Sequence, residues 1–126
     1  MINRREWHRR KYSIANFKMN KSNSEVGNYL ETLRALGQRS HPSEHRIVIC
    51  PPFTSLSYIN DPSARITITE NFFALGAQNI SSYEDGAYTG EISASIVTNT
   101  HIPVKYVILG HSERREYFKE TDSIIS

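Results

Sequence analysis

The fold is indicated most clearly by Val104-Lys105-Tyr106-Val107-Ile108-Leu109, which is followed at once by Gly110-His111-Ser112-Glu113. The first six of these residues are nearly continuous in apolar side chains, as in a strand whose two faces are both covered. Three comparable runs precede it, at residues 12–15, 46–50 and 72–77. Longer amphipathic or polar stretches separate the runs, and this alternation predicts βα units and a parallel sheet.

Each run ends in polar or otherwise special residues, which are Asn16 with Lys18, Cys50, Gln78 with Asn79, and His111 with Glu113. The intervals from Asn16 to His111 along this series are 34, 28 and 33 residues, close to the length of one βα unit. The carboxyl ends of parallel strands meet at one rim, where sites usually lie. A lysine there would attract an anionic substrate, and a histidine would move protons or polarise a carbonyl. Polar residues are also common wherever a strand meets a loop, so spacing alone leaves both interpretations open.

Helical spacing follows the first run. Val26, Leu30 and Leu33 recur on one face, and Ser22 with Glu25 forms a capping box ahead of them. Gly37 is a plausible helix end. Shorter helical segments are predicted at residues 54–59 and 92–98, on either side of a long turn-rich loop at residues 81–91.

Length and composition limit the function. The 126 residues suffice for one domain and are too few for two. The formal net charge of +2 is small, which indicates a soluble globular protein and not a nucleic-acid clamp. Cys50 is the only cysteine, so an intrachain disulfide and a four-cysteine zinc site are excluded, and a reducing, cytoplasmic setting fits best. No run approaches the roughly 20 apolar residues of a membrane span.

The first eleven residues are rich in arginine and are interpreted as a basic N-terminal extension. No apolar stretch of about 7–15 residues follows them, as a secretory signal would require. A transit peptide is a weaker alternative, because the segment is short, poor in serine and contains Glu6. The weakest functional hypothesis is nucleic-acid association through the basic side chains of this extension, Arg4, Arg5, Arg9, Arg10 and Lys11.

Four blocks of the sequence resemble signature segments of the triosephosphate isomerases. The blocks are Ala15-Asn16-Phe17-Lys18-Met19-Asn20, Leu75-Gly76-Ala77-Gln78-Asn79, residues 86–94 and residues 107–115, in the family's order and spacing. The likeness runs from about residue 12 to residue 126. It implies an α/β fold that forms the N-terminal half, about four βα units, of a (β/α)8 TIM barrel. Residues 12–126 would then be a truncated barrel domain, incomplete at the C-terminus.

The resemblance implies an enzyme that interconverts glyceraldehyde 3-phosphate and dihydroxyacetone phosphate in glycolysis and gluconeogenesis, with no cofactor and no metal. His111 would be the catalytic electrophile, donating from an imidazole that a following short helix keeps neutral, as is known of this family. Lys18 would be catalytic and would also bind the substrate phosphate, and Asn16 would support that pocket. Ser112 and Glu113 would be supporting residues, with Glu113 an ion-pair partner of Lys18.

The resemblance also implies a homodimer. In the family, the loop that corresponds to residues 81–91 reaches across a two-fold axis into the neighbouring subunit. Thr89 would touch the partner near its site, and Gln78 and Asn79 would belong to the same contact region. Neither a nucleic acid nor a membrane is expected as a partner.

The family's catalytic base is a glutamate from the second half of the barrel, at a position beyond Ser126. The base, the mobile lid and the later phosphate loops are therefore expected to be absent from this chain, which should be a poor enzyme alone. The alternative function is a non-catalytic fragment or interaction module that pairs with another isomerase chain. Half a barrel would also expose barrel-facing apolar side chains, for which Ile14, Ile49 and Val107 are the expected examples.

Overall fold

The computed structural model describes residues 11–37, 45–59, 61, 73–99 and 104–126. Within these ranges the strands are β1 (Lys11–Asn16), β2 (His45–Cys50), β3 (Phe73–Ala77) and β4 (Val104–Val107). The helices of the same described residues are α1 (Asn23–Gly37), α2 (Phe53–Ile59), α3 (Ala94–Asn99), α4 (Ser112–Tyr117) and α5 (Asp122–Ile125). The alternation of strands and helices confirms the predicted α/β class.

The four strands form one parallel sheet in the order β1-β2-β3-β4, the same as their order along the chain. One row of paired residues crosses the whole sheet, since Ala15 lies opposite Ile49, Ile49 opposite Leu75, and Leu75 opposite Val104. The register shifts between β3 and β4 just after this row. Sequential parallel strands of this kind are consistent with the N-terminal half of a (β/α)8 barrel.

Helix α1 begins at the predicted capping box. Ser22 donates from its backbone N at 2.8 Å and from its Oγ at 2.7 Å to Oε2 of Glu25. These hydrogen bonds lower the pKa of Glu25 below its ordinary value. The helix ends at Gly37, as predicted, and it buries Val26 and Leu30 against the sheet.

The hydrophobic core lies between the sheet and helices α1 and α2. Its buried members come from the strands, the helices and the turn after β1, and they are Phe17, Val26, Leu30, Ile49, Leu56, Ile59, Phe73 and Leu75. Burial of such side chains is worth about 1.5–3 kcal/mol each, so this single layer of contacts dominates the stability of the described residues. The core therefore fixes which face of each strand turns towards the helices.

The orientation predicted for Ile49 is wrong. Ile49 is only 1% exposed and packs in the core on the helix side of the sheet. Ile14, one residue out of register with it, is 59% exposed, as expected. Val107 is also exposed, but it lies opposite Ala77, on the same face of the sheet as Leu75 and Ile49, so its predicted barrel-facing orientation is wrong too. A strand that is apolar on both faces shows no alternation, so the sequence could not indicate which side chains face the helices.

The other predicted helices are present at slightly different bounds. Helix α2 matches the segment predicted at residues 54–59, and α3 begins two residues later than predicted. Residues 81–91 contain neither helix nor strand. Within the part of the chain that the structure describes, no helix combines the length and hydrophobicity that a membrane crossing requires.

Replacing Gly76 by alanine should destabilise the sheet. A Cβ on Gly76 would come within 2.5 Å of Cys50 Sγ and 3.2 Å of Val48 Cγ1, both of them in buried side chains. We expect Gly76→Ala to lower the free energy of unfolding by about 1–3 kcal/mol, measured by urea denaturation. The double variant with Cys50→Ala removes the sulfur and should recover part of this loss. Equal stability of wild type and Gly76→Ala would contradict the packing argument.

Candidate functional site

Lys18 lies in the turn that follows β1. Its φ of 53° falls in the left-handed region, which non-glycine residues seldom adopt and which costs about 1–3 kcal/mol. Asn16 holds this conformation, because its Oδ1 accepts a hydrogen bond from Lys18 N at 2.9 Å. Asn20 supports the same turn by donating from Nδ2 to Phe17 O at 3.1 Å. The direction in which Lys18 leaves the strand is thus set by its neighbours.

The side chain of Gln78, which follows β3, joins three strand ends. Its Nε2 donates to Lys18 O at 3.0 Å and to Cys50 O at 2.9 Å. Cys50 O also accepts from Phe17 N at 3.1 Å. A primary amide has two N–H donors, and Gln78 uses both within this chain. The strained turn is therefore held at the carbonyl of Lys18 as well as at its amide.

His111 lies at the junction between β4 and α4. It is the N-cap residue of α4, with φ −54° and ψ 144°, and its Nδ1 accepts a hydrogen bond from Glu113 N at 3.2 Å. Because Nδ1 accepts, the proton of a neutral imidazole lies on Nε2, which is left to donate. The side chain is 26% exposed, so the ring is partly shielded from solvent and still accessible.

Glu113 links His111 to Lys18. Its Oε1 lies 2.5 Å from Lys18 Nζ, and its Oε2 lies 3.6 Å from His111 Nδ1. The hydrogen bond from Lys18 lowers the pKa of Glu113 below its ordinary value, so the carboxylate is ionised at neutral pH. The side chains of Lys18 and Glu113 are 49% and 44% exposed, respectively. The ends of β1 and β4 are therefore joined by an accessible ion pair beside a histidine.

Cys50 does not have the surroundings of a nucleophile. Its side chain is buried, and this burial raises the pKa of the thiol to about 11. The thiol is therefore protonated at neutral pH, whereas a reactive cysteine is a thiolate. Among the described residues, no three His, Cys, Asp or Glu side chains come together as a metal site would require.

The remaining predicted site residues lie around this centre. Ser112 is exposed at the start of α4, and Asn79 is half-buried, two residues after the end of β3. Thr89 is exposed in the loop of residues 81–91, which is closed at its base by Ser81 N donating to Ile92 O at 2.8 Å. The contacts of Thr89, Asn79 and Gln78 with a second subunit remain predictions.

Sequence reasoning did not single out Gly110 or Arg115. Gly110 has a φ of 59° and directly precedes His111, and its carbonyl accepts a hydrogen bond from Arg115 Nε at 2.8 Å. A glycine between an apolar strand and a histidine was the only signal in the sequence for such a turn. The contact of Arg115 with Gly110 O depends on how α4 packs against the end of β4, which the local sequence does not show.

The chain is similar in sequence to known proteins of one family. The sequence profile of the family described as triosephosphate isomerase matches residues 11–126. A triosephosphate isomerase of Alkaliphilus oremlandii is 44% identical over 111 residues, which cover 88% of this chain and 41% of that protein. Those of Dictyoglomus turgidum and Nostoc punctiforme are each 42% identical over 118 residues, which cover 94% and 93% of this chain and 44% and 45% of those proteins. The chain thus spans less than half the length of these curated relatives.

Replacing Lys18 by methionine should raise the pKa of Glu113. In the folded chain the pKa of Glu113 is lowered from 4.5, chiefly by the hydrogen bond from Lys18. The ion pair therefore contributes to stability above pH 4.5, and this contribution is lost as the pH falls through the lowered pKa. A carbon-13 NMR titration of the Glu113 carboxylate measures this change. Lys21→Met is the matched control, because Lys21 lies over the rings of Phe17 and Tyr29. An unchanged pKa in Lys18→Met would contradict the assigned cause.

Proposed function

The chain belongs to the triosephosphate isomerase family, and on this premise we propose that its site serves the interconversion of glyceraldehyde 3-phosphate and dihydroxyacetone phosphate. The observation that carries the proposal is the Lys18–Glu113 ion pair at 2.5 Å with His111 beside it. This reaction moves a proton between two adjacent carbons and generates negative charge on the substrate oxygens. A cation and a neutral hydrogen-bond donor at one rim fit that requirement.

We assign Lys18 to the substrate phosphate and to the developing enediolate oxygen. Ion pairs between exposed side chains contribute little, so a phosphate dianion can compete with Glu113 for the ammonium. Glu113 would then keep the lysine oriented before the substrate arrives. Asn16 contributes by holding the turn from which Lys18 extends.

We assign His111 to the carbonyl and hydroxyl oxygens of the substrate. The Glu113 amide occupies Nδ1, which directs Nε2–H away from α4 as a donor. A neutral donor of this kind stabilises an oxyanion without first being protonated, so its protonation state need not change between substrate and transition state. Ser112 supports this arrangement as the first residue of α4.

A complete isomerase site also needs a base that takes the proton from carbon. We propose that a carboxylate from the second half of the barrel provides this base, as the resemblance to the family implies. A positioned general base is worth about 10²–10⁴ in rate. Residues 12–126 would accordingly supply the electrostatic part of the site, in a cytoplasmic enzyme of glycolysis and gluconeogenesis.

We further propose that the protein assembles as a homodimer through the loop of residues 81–91. Support comes from exposed side chains on both prospective sides of the contact. Met19, next to Lys18, is 97% exposed, and Tyr83 and Tyr88 are exposed in the loop. The two tyrosine rings stack with centroids 4.0 Å apart, which restricts the conformations of the loop before any contact forms. Thr89 follows Tyr88 directly and would meet the partner near Lys18 and His111.

The alternative proposal is a non-catalytic fragment or interaction module that pairs with another isomerase chain. The observation that favours it is the apolar face of the sheet opposite the core, where Tyr12 and Ile14 are exposed. An uncovered sheet face of this type would be covered by association with a complementary chain. Catalysis by the purified chain in the presence of a second-half barrel chain, which would supply the base, distinguishes the alternative from the isomerase proposal.

The isomerase proposal predicts a phosphate site that depends on Lys18. Glycerol 3-phosphate, a triose phosphate without the reacting carbonyl, should bind the wild-type chain and Lys21→Met, but binding should be lost in Lys18→Met, as measured by calorimetry. In the same preparations, freed of host isomerase and mixed with a chain that carries the second half of a triosephosphate isomerase barrel, glyceraldehyde 3-phosphate should be converted by the wild type and not by His111→Gln. Binding without any conversion in that mixture would favour the non-catalytic alternative, and equal binding by both lysine variants would contradict the site.

The dimer proposal predicts that a charge in the loop of residues 81–91 disrupts association. Sedimentation equilibrium should give about twice the 14.5 kDa chain mass for the wild type and the chain mass for Thr89→Asp. The physical reason is that a buried carboxylate without a partner opposes contact formation. Thr32→Asp, on the exposed surface of α1, is the charge-matched control. An unchanged mass in Thr89→Asp would contradict the assigned interface.

A further inference from the structure

Arg115 contacts both peptide groups that flank His111. Its Nε donates to Gly110 O at 2.8 Å, and its backbone N donates to His111 O at 3.0 Å. Its guanidinium also donates from Nη1 to Asp122 Oδ1 at 2.7 Å, so the side chain is held at both ends. One residue thus fixes the carbonyl before His111 and the carbonyl after it.

The hydrogen bond from Arg115 Nε to Gly110 O fixes the backbone from which the His111 side chain extends. Gly110 C=O and His111 N–H belong to one planar peptide, so a hydrogen bond at the oxygen fixes the plane from which His111 extends. Gly110 is in the left-handed region, and a Cβ there would come within 2.5 Å of Ile125 Cδ1 and 3.0 Å of Arg115 Nη2. The space around this peptide is therefore closed by Arg115 on one side and by α5 on the other.

The contact with Asp122 orients the arginine. Asp122 is 91% exposed, so its ion pair with Arg115 adds little stability by itself. Arg115 Nε and Nη1 belong to the same rigid planar guanidinium, which means that holding Nη1 also aims Nε. The ion pair consequently holds Nε towards Gly110 O.

The neighbouring arginine has no comparable side-chain contact. Arg114 Nε donates to Glu120 Oε1 at 2.6 Å, and its guanidinium lies 4.7 Å from the centroid of the Phe118 ring. Those partners belong to the end of α4 and to the link into α5. Arg114 therefore offers a control with the same charge in the same helix.

We propose that Arg115 is a positioning residue for His111: by holding the Gly110–His111 peptide, it keeps Nδ1 on the Glu113 amide and Nε2–H directed at the substrate. The catalytic consequence rests on the proposed function. The positioning itself is a property of this chain, and it is measurable without turnover.

The test uses the nitrogen-15-labelled chain and two NMR measurements. The first is the hydrogen exchange rate of the Glu113 amide, which donates a hydrogen bond to His111 Nδ1. The second is the pair of ring nitrogen signals of His111, which are assigned as the signals that disappear in His111→Gln. In Arg115→Met, we expect amide exchange about tenfold faster and a change from one tautomer to a mixture. In Arg114→Met, the exchange rate of the Glu113 amide should stay within about twofold of the wild-type rate, and the His111 ring nitrogen signals should still report one tautomer.

The same changes in both arginine variants, or none in Arg115→Met, would overturn the proposal. If Arg115→Met does not fold, Arg115→Lys replaces it, because lysine keeps the charge facing Asp122 and lacks the Nε–H that meets Gly110 O. Wild-type signals in Arg115→Lys, or loss of the fold in both variants, would overturn it as well. Glycerol 3-phosphate binding is measured on the same samples, so absence of binding in the wild type would count against the proposed function and leave the positioning result intact.

Discussion

The parallel pairing of the four described strands, in chain order, sets the positions of the other elements. It aligns Ala15, Ile49, Leu75 and Val104 in one row, so that all strands end at the same rim. Lys18 and Glu113 are separated by 95 residues in sequence and are brought into hydrogen-bond contact by this alignment. A slip in register would move the side chains at the rim and would also turn core residues to the opposite face.

The two turns that carry the site both contain a residue in the left-handed region, and the chain accommodates them differently. At Gly110 there is no Cβ, so the conformation is easily adopted. Lys18 has a side chain, and its strain is offset by two hydrogen bonds, one donated by Lys18 N to Asn16 Oδ1 and one accepted by Lys18 O from Gln78 Nε2. Strain of this kind persists only where the surroundings over-determine it, which is typical of functional sites.

The electrostatic interactions at this rim serve orientation more than stability. The Lys18–Glu113 and Arg115–Asp122 pairs are both accessible to solvent, which screens them. Stability comes instead from the buried layer between the sheet and helices α1 and α2. Under the proposed function, this division would let the charged groups exchange partners with an anionic substrate without loss of the fold.

The sequence by itself determined the elements and the candidate chemistry. Continuous apolar runs indicated buried parallel strands, the Ser22–Glu25 pair indicated the start of α1, and the spacing of polar strand ends indicated a rim. Four signature blocks then indicated the family and the roles of Asn16, Lys18, His111 and Glu113. These features are local or periodic, and local patterns can be recognised in a sequence without coordinates.

Three features could not be predicted without the packed structure: the orientation of Ile49, the use of both Gln78 donors, and the contact between Arg115 and Gly110. A strand covered on both faces has no alternation from which its orientation could be inferred. Gln78 and Lys18 are 60 residues apart, and their contact depends on the register of the sheet and the strained turn. Hydrogen bonds have strict distance and angle requirements, so which groups pair is settled only when the packed core fixes their positions.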